Sequence, residues 1–267
     1  MLFMTFNLRF ENDKDGENSW SDRRDMVVGL INAYAPAVLG TQEGTPAQLD
    51  YLQTQLPGYA MNAPDRIADP TCQRPTLFCR RDAVRMTQGG EFWLSETPSV
   101  HRSKNWDSAY PRMMSYALCE PFDAPASEAS RESTAPGGAF WAVVTHLDNL
   151  GVEARLRQSE IIASWVKKRT EPVALMGDFN DAPDSPAHRL LTSPECGLRD
   201  AWRTLGKPEN GASATHHGFT GKPLGARIDW MLLGPRFRIL DAKIIHDNVN
   251  GRYPSDHFPY MVECELA

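Results

Sequence analysis

The sequence predicts an α/β fold in which β-sheets pack on one another with helices outside, on three observations. Short apolar runs rich in β-branched residues recur along the chain, and the segments between them carry apolar stripes of helical period. Consecutive strand-like runs also follow one another in the middle and at the end, which indicates mixed sheets rather than a uniformly alternating parallel barrel. With 267 residues, 41% hydrophobic and 23% charged, the chain can build one large core. A single domain over residues 1–267 is therefore expected, and disordered, collagen-like and disulfide mini-protein classes are excluded.

In chain order, the strand-like runs are Leu2 to Leu8, Ala37 to Thr41, Thr76 to Cys79, Ser115 to Glu120, Ala139 to His146, Val173 to Met176, Ile228 to Leu233, Arg238 to Ile245 and Pro259 to Leu266. Met26, Val27, Leu30, Ile31 and Tyr34 form one helical stripe, and Ile161, Ile162, Trp165 and Val166 another. Thr45-Pro46-Ala47-Gln48 opens a helix: a Thr cap, Pro at the first helical position and Gln placed for a capping box. Leu49, Leu52 and Leu56 then face the core, and Pro57-Gly58 ends the helix. Asp123 to Gly138, rich in Ala, Ser, Pro and Gly between two strands, reads as a long mobile hairpin loop. The irregular stretches Ala60 to Arg74 and Arg203 to Ala226 read as rim loops around a site.

A net charge of −6 gives no global field for collecting duplex nucleic acid or an anionic membrane, though it leaves room for a local cationic site. Cys72, Cys79, Cys119, Cys196 and Cys264 show no CxxC spacing and are odd in number, which reads as a reducing, cytoplasmic setting. No run approaches the roughly 18 apolar residues of a membrane helix. The opening residues lack the charged and apolar regions of a signal peptide. Oligomeric state is open.

The chemistry concentrates where strands end and loops begin. Asn7, Gln42-Glu43, the group His146, Asp148 and Asn149, the pair Asp178 and Asn180, Asp229, and Asp256-His257 all occupy such places. Asp, Glu and Asn offer hard oxygen ligands suited to Mg²⁺ or Mn²⁺, and thiolates are missing from every one of these places, which argues against zinc. Asp229 lies between Ile228 and the apolar run Trp230 to Leu233, where an unpaired carboxylate is costly, so a partner is expected. Taken singly, Asn7 and Asn180 read as turn caps. His101, His188, His216, His217 and His246 match no motif and read as surface or capping residues. Trp20, Trp93 and Trp106 read as core or loop packing.

Six motifs occur in a telling order: Thr5-Phe6-Asn7, Thr41-Gln42-Glu43, Thr145-His146-Leu147-Asp148, Gly177-Asp178-Phe179-Asn180, Arg227-Ile228-Asp229 and Ser255-Asp256-His257. Together they resemble the endonuclease/exonuclease/phosphatase superfamily, with the fold of pancreatic deoxyribonuclease, over Asn7 to His257. Asn18-Ser19-Trp20-Ser21-Asp22-Arg23 and Phe92-Trp93-Leu94-Ser95-Glu96-Thr97-Pro98 resemble a bacterial branch of unassigned substrate. The resemblance implies a four-layer α/β/β/α sandwich of two mixed sheets with helices on the outer faces. It also implies a divalent-metal-dependent phosphoesterase that hydrolyses a phosphomonoester or phosphodiester by in-line attack of water.

By the same resemblance, Glu43 is the principal metal ligand, with Asn7 and Asp256 beside it. Asp178 orients or deprotonates the water, and Asn180 holds that water or a phosphate oxygen. His257 donates to the phosphoryl oxygen, Asp229 or Asp256 fixes its tautomer, and His146 is a second donor. Arg112, in Tyr110-Pro111-Arg112-Met113, takes the phosphate-binding position together with Asn149. Such chemistry needs a cation and imidazole donors, because carboxylates alone repel an anionic ester. One departure stands out: Gln73 occupies the place where many relatives carry a Glu paired to the equivalent of His146, so the imidazole is expected to be held more weakly. The expected substrate is a phosphorylated small molecule or a short nucleic-acid end. A nuclease acting on single-stranded or duplex nucleic acid, or a non-catalytic phosphate-binding scaffold, are the alternatives.

Overall fold

A computed structural model of the protein describes residues 1–122 and 138–267. Its strands are β1 (Leu2–Asn7), β2 (Val38–Gly44), β3 (Tyr59–Met61), β4 (Arg74–Arg80), β5 (Val84–Trp93), β6 (Met113–Pro121), β7 (Phe140–His146), β8 (Val173–Asp178), β9 (Arg199–Asp200), β10 (Asp229–Leu233), β11 (Phe237–Ile244) and β12 (Tyr260–Leu266). The helices are α1 (Trp20–Tyr34), α2 (Pro46–Gln55), α3 (Val152–Val166), α4 (Pro186–Leu191) and α5 (Ala201–Thr204). The strands form two six-stranded sheets, ordered β11-β12-β1-β2-β4-β3 and β5-β6-β7-β8-β10-β9. Both are mixed: β1 runs parallel to β2 but antiparallel to β12, and β8 runs parallel to β7 but antiparallel to β10.

The sheets meet face to face. Phe3, Val38, Leu77 and Cys79 from the first pack against Ala142, Val144, Met176 and Met231 from the second. On the outer face of the first sheet, Val27, Leu30 and Ile31 of α1 and Leu49 and Leu52 of α2 cover Met4, Phe6, Leu39 and Phe78. On the opposite side, Ile162, Ala163 and Val166 of α3 and Leu191 of α4 cover Trp141, Val143, Leu175 and Leu232. Central strands are thus buried on both faces, which is why they read as continuous apolar runs rather than alternating ones. These are the four layers expected. The capping box at the start of α2 also forms, with Thr45 and Gln48 each bonding the other's backbone N–H.

Every strand-like run becomes a strand, within three residues at either end. The sequence reading misses β5, which lies at the edge of the second sheet and is fully buried only at Val84 and Trp93. An edge strand facing solvent needs no apolar face, and this one also carries Gly89-Gly90 and a register shift between Met86 and Gln88. The short β3, β9, α4 and α5 are missed as well. The hairpin loop expected over Asp123 to Gly138 lies outside the described residues save for its last. Among the described residues, no helix is long and apolar enough to cross a membrane.

Candidate active site

The strand-end residues converge on one cavity of about 460 Å³. Glu43, Arg112, His146, Asn149, Asp178, Asn180, Asp256 and His257 line it. Asn7 and Asp229, each 1% exposed, stand behind the wall and hold residues that face it. Asn7 Nδ2 donates to Asp178 Oδ2 at 3.0 Å and to Glu43 Oε1 at 3.3 Å, while Asp229 Oδ2 meets His257 Nδ1 at 2.9 Å. The partner expected for Asp229 is therefore His257, and it is Asp229 rather than Asp256 that sets the imidazole's tautomer.

Local backbone explains how these side chains turn inward. Glu43 has φ 63° where the pairing of β2 with β4 shifts register between Thr41 and Gly44, so a bulge re-aims its carboxylate. Asn180, just past β8, sits at φ 51°. A non-glycine residue in this left-handed region costs of order 1 kcal/mol or more and persists only where its surroundings enforce it. Gly177 has φ 152°, and a Cβ there would stand 2.1 Å from the carbonyl oxygen of Thr145 on β7. Only glycine lets β8 carry Asp178 this close to His146.

The electrostatics are set by burial. Burial and the charge of Asp229 push the Asp178 carboxyl up to about 7, against the pull of His257. For His257, burial alone would lower the pKa, but the carboxylates of Asp229 and Asp178 outweigh it and hold the imidazole well above its ordinary 6.5. Its Nε2 lies 3.8 Å from Asp178 Oδ2. His146 goes the other way: burial and the cationic Arg112 and His257 keep it well below 6.5. Arg112 can only donate, so its contact with His146 Nδ1 at 3.1 Å leaves the ring proton on Nε2, where Asp178 Oδ2 at 3.4 Å is the acceptor; the Asn180 amide nitrogen, 3.0 Å from Nε2, is itself a donor and gives a proton to the carbonyl of Leu147. The expectation of a loosely held His146 is thus corrected. Gln73 lines the cavity but is not its partner, and Arg112 at Nδ1 and Asp178 at Nε2 hold the ring instead.

Arg112 also donates to Asn149 Oδ1 at 3.2 Å, and its buried Nε has no hydrogen-bond partner. Its strand entry is fixed by Asp148, fully buried, which accepts from Ser108 Oγ and from the backbone N–H groups of Tyr110, Leu150 and Gly151. Burial would raise the Asp148 pKa, yet these backbone donors hold it below the usual carboxylate value.

Several wall residues are not among the site residues expected from the sequence. Arg9 turns in at φ 53° and is held by two hydrogen bonds to Asp15, while Trp93, Arg102, Tyr110 and His216 complete the wall. Arg9 stands two positions after Asn7, a proximity that could have flagged it; Arg102 and His216 give no such signal. Both expected rim stretches contribute, through Thr71, Cys72 and Gln73 and through His216. His188 and His217 are buried rather than at the surface: His188 bonds Asp200 at 2.8 Å, and His217 stacks on Phe258 at 3.9 Å. Arg23 of α1 is buried and donates to the carbonyls of Leu8, Arg9, Asn18 and Pro254, tying together two turns that carry site residues. Burial pushes its pKa down to about 10.

Among the described residues, two groups of metal-ligating side chains bring their ligand atoms within 4.8 Å of one another: Asp178, Asp229 and His257, and His216, Asp256 and His257. Glu43 belongs to neither.

Sheets and site together define a class of fold, two packed mixed sheets with helices outside and a polar cavity where the strands end. Within it, the chain belongs to the Endonuclease/Exonuclease/phosphatase family, whose sequence profile matches residues 4–257. No protein of curated function matches it in sequence. Among solved structures, the endonuclease/exonuclease/phosphatase from Bacteroides vulgatus is similar at TM-score 0.85 and 27% identity, over 100% of this chain and 98% of that chain. A mannosyl-6-phosphatase of Bacteroides thetaiotaomicron is similar at TM-score 0.83 and 25% identity, over 100% of both chains. TDP2 of D. rerio, solved with a single-strand DNA product, shares the fold at TM-score 0.73 and 17% identity, over 100% of this chain and 99% of that chain.

Proposed function

We propose that the protein is a divalent-metal-dependent phosphoesterase, a single domain that removes phosphate from a small phosphorylated molecule by in-line attack of water. The observation that carries this reading is the pairing of Asp178 and the Asp229-held His257, 3.8 Å apart on the wall of a cavity of about 460 Å³. That volume suits a small ligand. The likeness to a mannosyl-6-phosphatase favours a sugar phosphate. Five free, buried cysteines fit a reducing, cytoplasmic setting.

Asp178, positioned by Asn7 and held near neutrality, orients the attacking water and takes its proton. Asn180, whose amide is fixed by the carbonyl of Leu147, lines up that water or a phosphate oxygen. His257 donates from Nε2 to the phosphoryl oxygen as charge gathers there, with Asp229 stabilising the imidazolium. Neutral His146 offers a second proton, and Arg112 presents its cation to the phosphate beside Asn149. Glu43 and Asp256, carboxylates on the cavity wall, fit Mg²⁺ or Mn²⁺, which keep several water ligands and need only one or two carboxylates, while Asn7, buried behind them with Oδ1 taken by the Arg9 N–H, would hold Glu43 in place. Such an ion supplies charge neutralisation to the phosphoryl oxygens.

Release of phosphate from a hexose 6-phosphate, of p-nitrophenolate from bis-p-nitrophenyl phosphate and of shorter strands from single-stranded DNA, each with Mg²⁺ or Mn²⁺, tests the reading. Turnover of the hexose phosphate, abolished by EDTA and restored by metal, is expected. Cleavage of DNA with an inert sugar phosphate would make the protein a nuclease. Phosphate binding without turnover of any of the three would make it a scaffold.

A further inference from the structure

His216 does not take part in the chemistry above, yet its backbone is locked beside the residues that do. The chain at 215–218 lies along 256–258: Phe258 N–H donates to the carbonyl of Thr215 at 2.7 Å, and His217 N–H to that of Asp256 at 2.8 Å. His216 forms isolated bridges to both His257 and Leu224. This ladder sets the ring of His216 edge-on to that of His257, with centroids 5.0 Å apart and Nε2 4.0 Å from Asp256 Oδ2.

From this juxtaposition we propose a further cation site, sharing Asp256 with the Mg²⁺ position but selective for a borderline transition metal such as Zn²⁺, formed by His216, Asp256 and His257 at the cavity wall. Three features carry it. One ligand atom from each residue lies within 4.8 Å of the others. His257 has Nδ1 engaged by Asp229, leaving Nε2 as its ligand nitrogen, and a carboxylate behind the other ring nitrogen is the usual support of a metal-binding histidine. Asp256 Oδ2 has no hydrogen bond among the described residues; its neighbours are His216 and, at 3.9 Å, Arg9, which is already committed to Asp15.

Ligand atoms about 2.1 Å from a tetrahedral ion stand roughly 3.4 Å apart, so closure needs a movement of about an ångström. The half-exposed ring of His216 is free to make it. Two imidazoles with one carboxylate select against Mg²⁺ and for Zn²⁺, Co²⁺ or Ni²⁺. Three protein ligands leave a further position facing the cavity. Occupation removes Nε2 of His257 from phosphate, so the ion inhibits turnover, a consequence that rests on the phosphoesterase reading; binding does not.

The test is therefore direct binding to the full chain without substrate and with millimolar Mg²⁺ present. Zn²⁺ affinity is read by competition with a chromophoric chelator, and Co²⁺ serves as a visible-absorbing stand-in. We expect one ion per chain, with affinity weakened about 100-fold in both His216→Ala and His257→Ala and loss of the Co²⁺ absorption band. His216→Gln, polar but a poor ligand, serves should the alanine variant not fold. Binding that survives loss of His216, whether or not His257→Ala abolishes it, overturns the proposal. A protein inert towards phosphate esters would still show the binding, so the two readings fail separately.

Discussion

Asp178 and His257 are buried side by side with Asp229 behind the imidazole, an arrangement costly for stability and useful for moving protons. If Asp178 acts on the incoming water and His257 on the charge that gathers on the phosphoryl oxygens, each works mainly in the transition state. Asp178→Ala and His257→Ala should then lower kcat by about 10² or more with little change in KM. Arg112→Ala removes a cation that holds phosphate in the ground state too, so it should raise KM. Steady-state kinetics on folded variants decide this: near-normal kcat in both of the first two variants overturns the assigned roles, and an unchanged KM in the third removes only the phosphate contact. Gly177 is a residue-scale case of a different kind. Its replacement by Ala sets a Cβ against the Thr145 carbonyl, and we expect a loss of about 3 kcal/mol in urea unfolding. A wild-type midpoint would mean that β7 yields without cost.

At the scale of elements, β10 is aimed by a buried ion network rather than by its apolar side chains alone. Arg227, fully buried just before the strand, pairs with Asp200 at 2.7 Å and with Glu209, while Asp200 also bonds His188 and caps α5. Burial would raise the pKa of Asp200, but the bond from His188 and the charge of Arg227 hold it below its ordinary 3.8. A depressed carboxylate contributes stability above its unfolded pKa of about 3.9 and loses it as pH falls through the lower folded value. Asp200→Asn should therefore cost about 3 kcal/mol at pH 7, where Arg227 loses a buried partner. It should also flatten the fall in stability below about pH 4. Urea titrations of both proteins at neutral and acid pH measure the two effects; an equal acid fall in the variant refutes the assignment to Asp200. The start of α2 shows the contrasting case of an element readable locally, since Thr45, Pro46 and Gln48 lie within one turn.

For the whole molecule, the sandwich gathers carboxylates from both sheets at one end: Glu43 from β2, Asp178 from β8, and Asp256 ahead of β12, with Asp229 of β10 behind them. In the proposed metal-dependent enzyme, a cation that binds the folded chain alone would relieve their mutual repulsion. Millimolar Mg²⁺ or Mn²⁺ should raise the melting temperature by about 2–5 °C, reversibly with EDTA. An unchanged melting temperature with both ions counts against a metal site there.

The layered fold was readable along the chain because two-sided burial demands continuous apolar strands, and helix faces need apolar stripes; both are local patterns. The strand-end polar residues were readable too, since carboxylates and imidazoles beside such runs are costly unless used. What the sequence did not carry was pairing across distance. That Asp229 takes His257, that Arg112 rather than Gln73 grips His146, and that His216 comes to rest beside Asp256 all depend on how two sheets and their rim loops meet. The same holds for β5, whose edge position asks nothing of its apolar pattern. Local propensity reaches one turn or one strand, whereas a buried charge is settled by whichever partner the tertiary packing brings within a few ångströms.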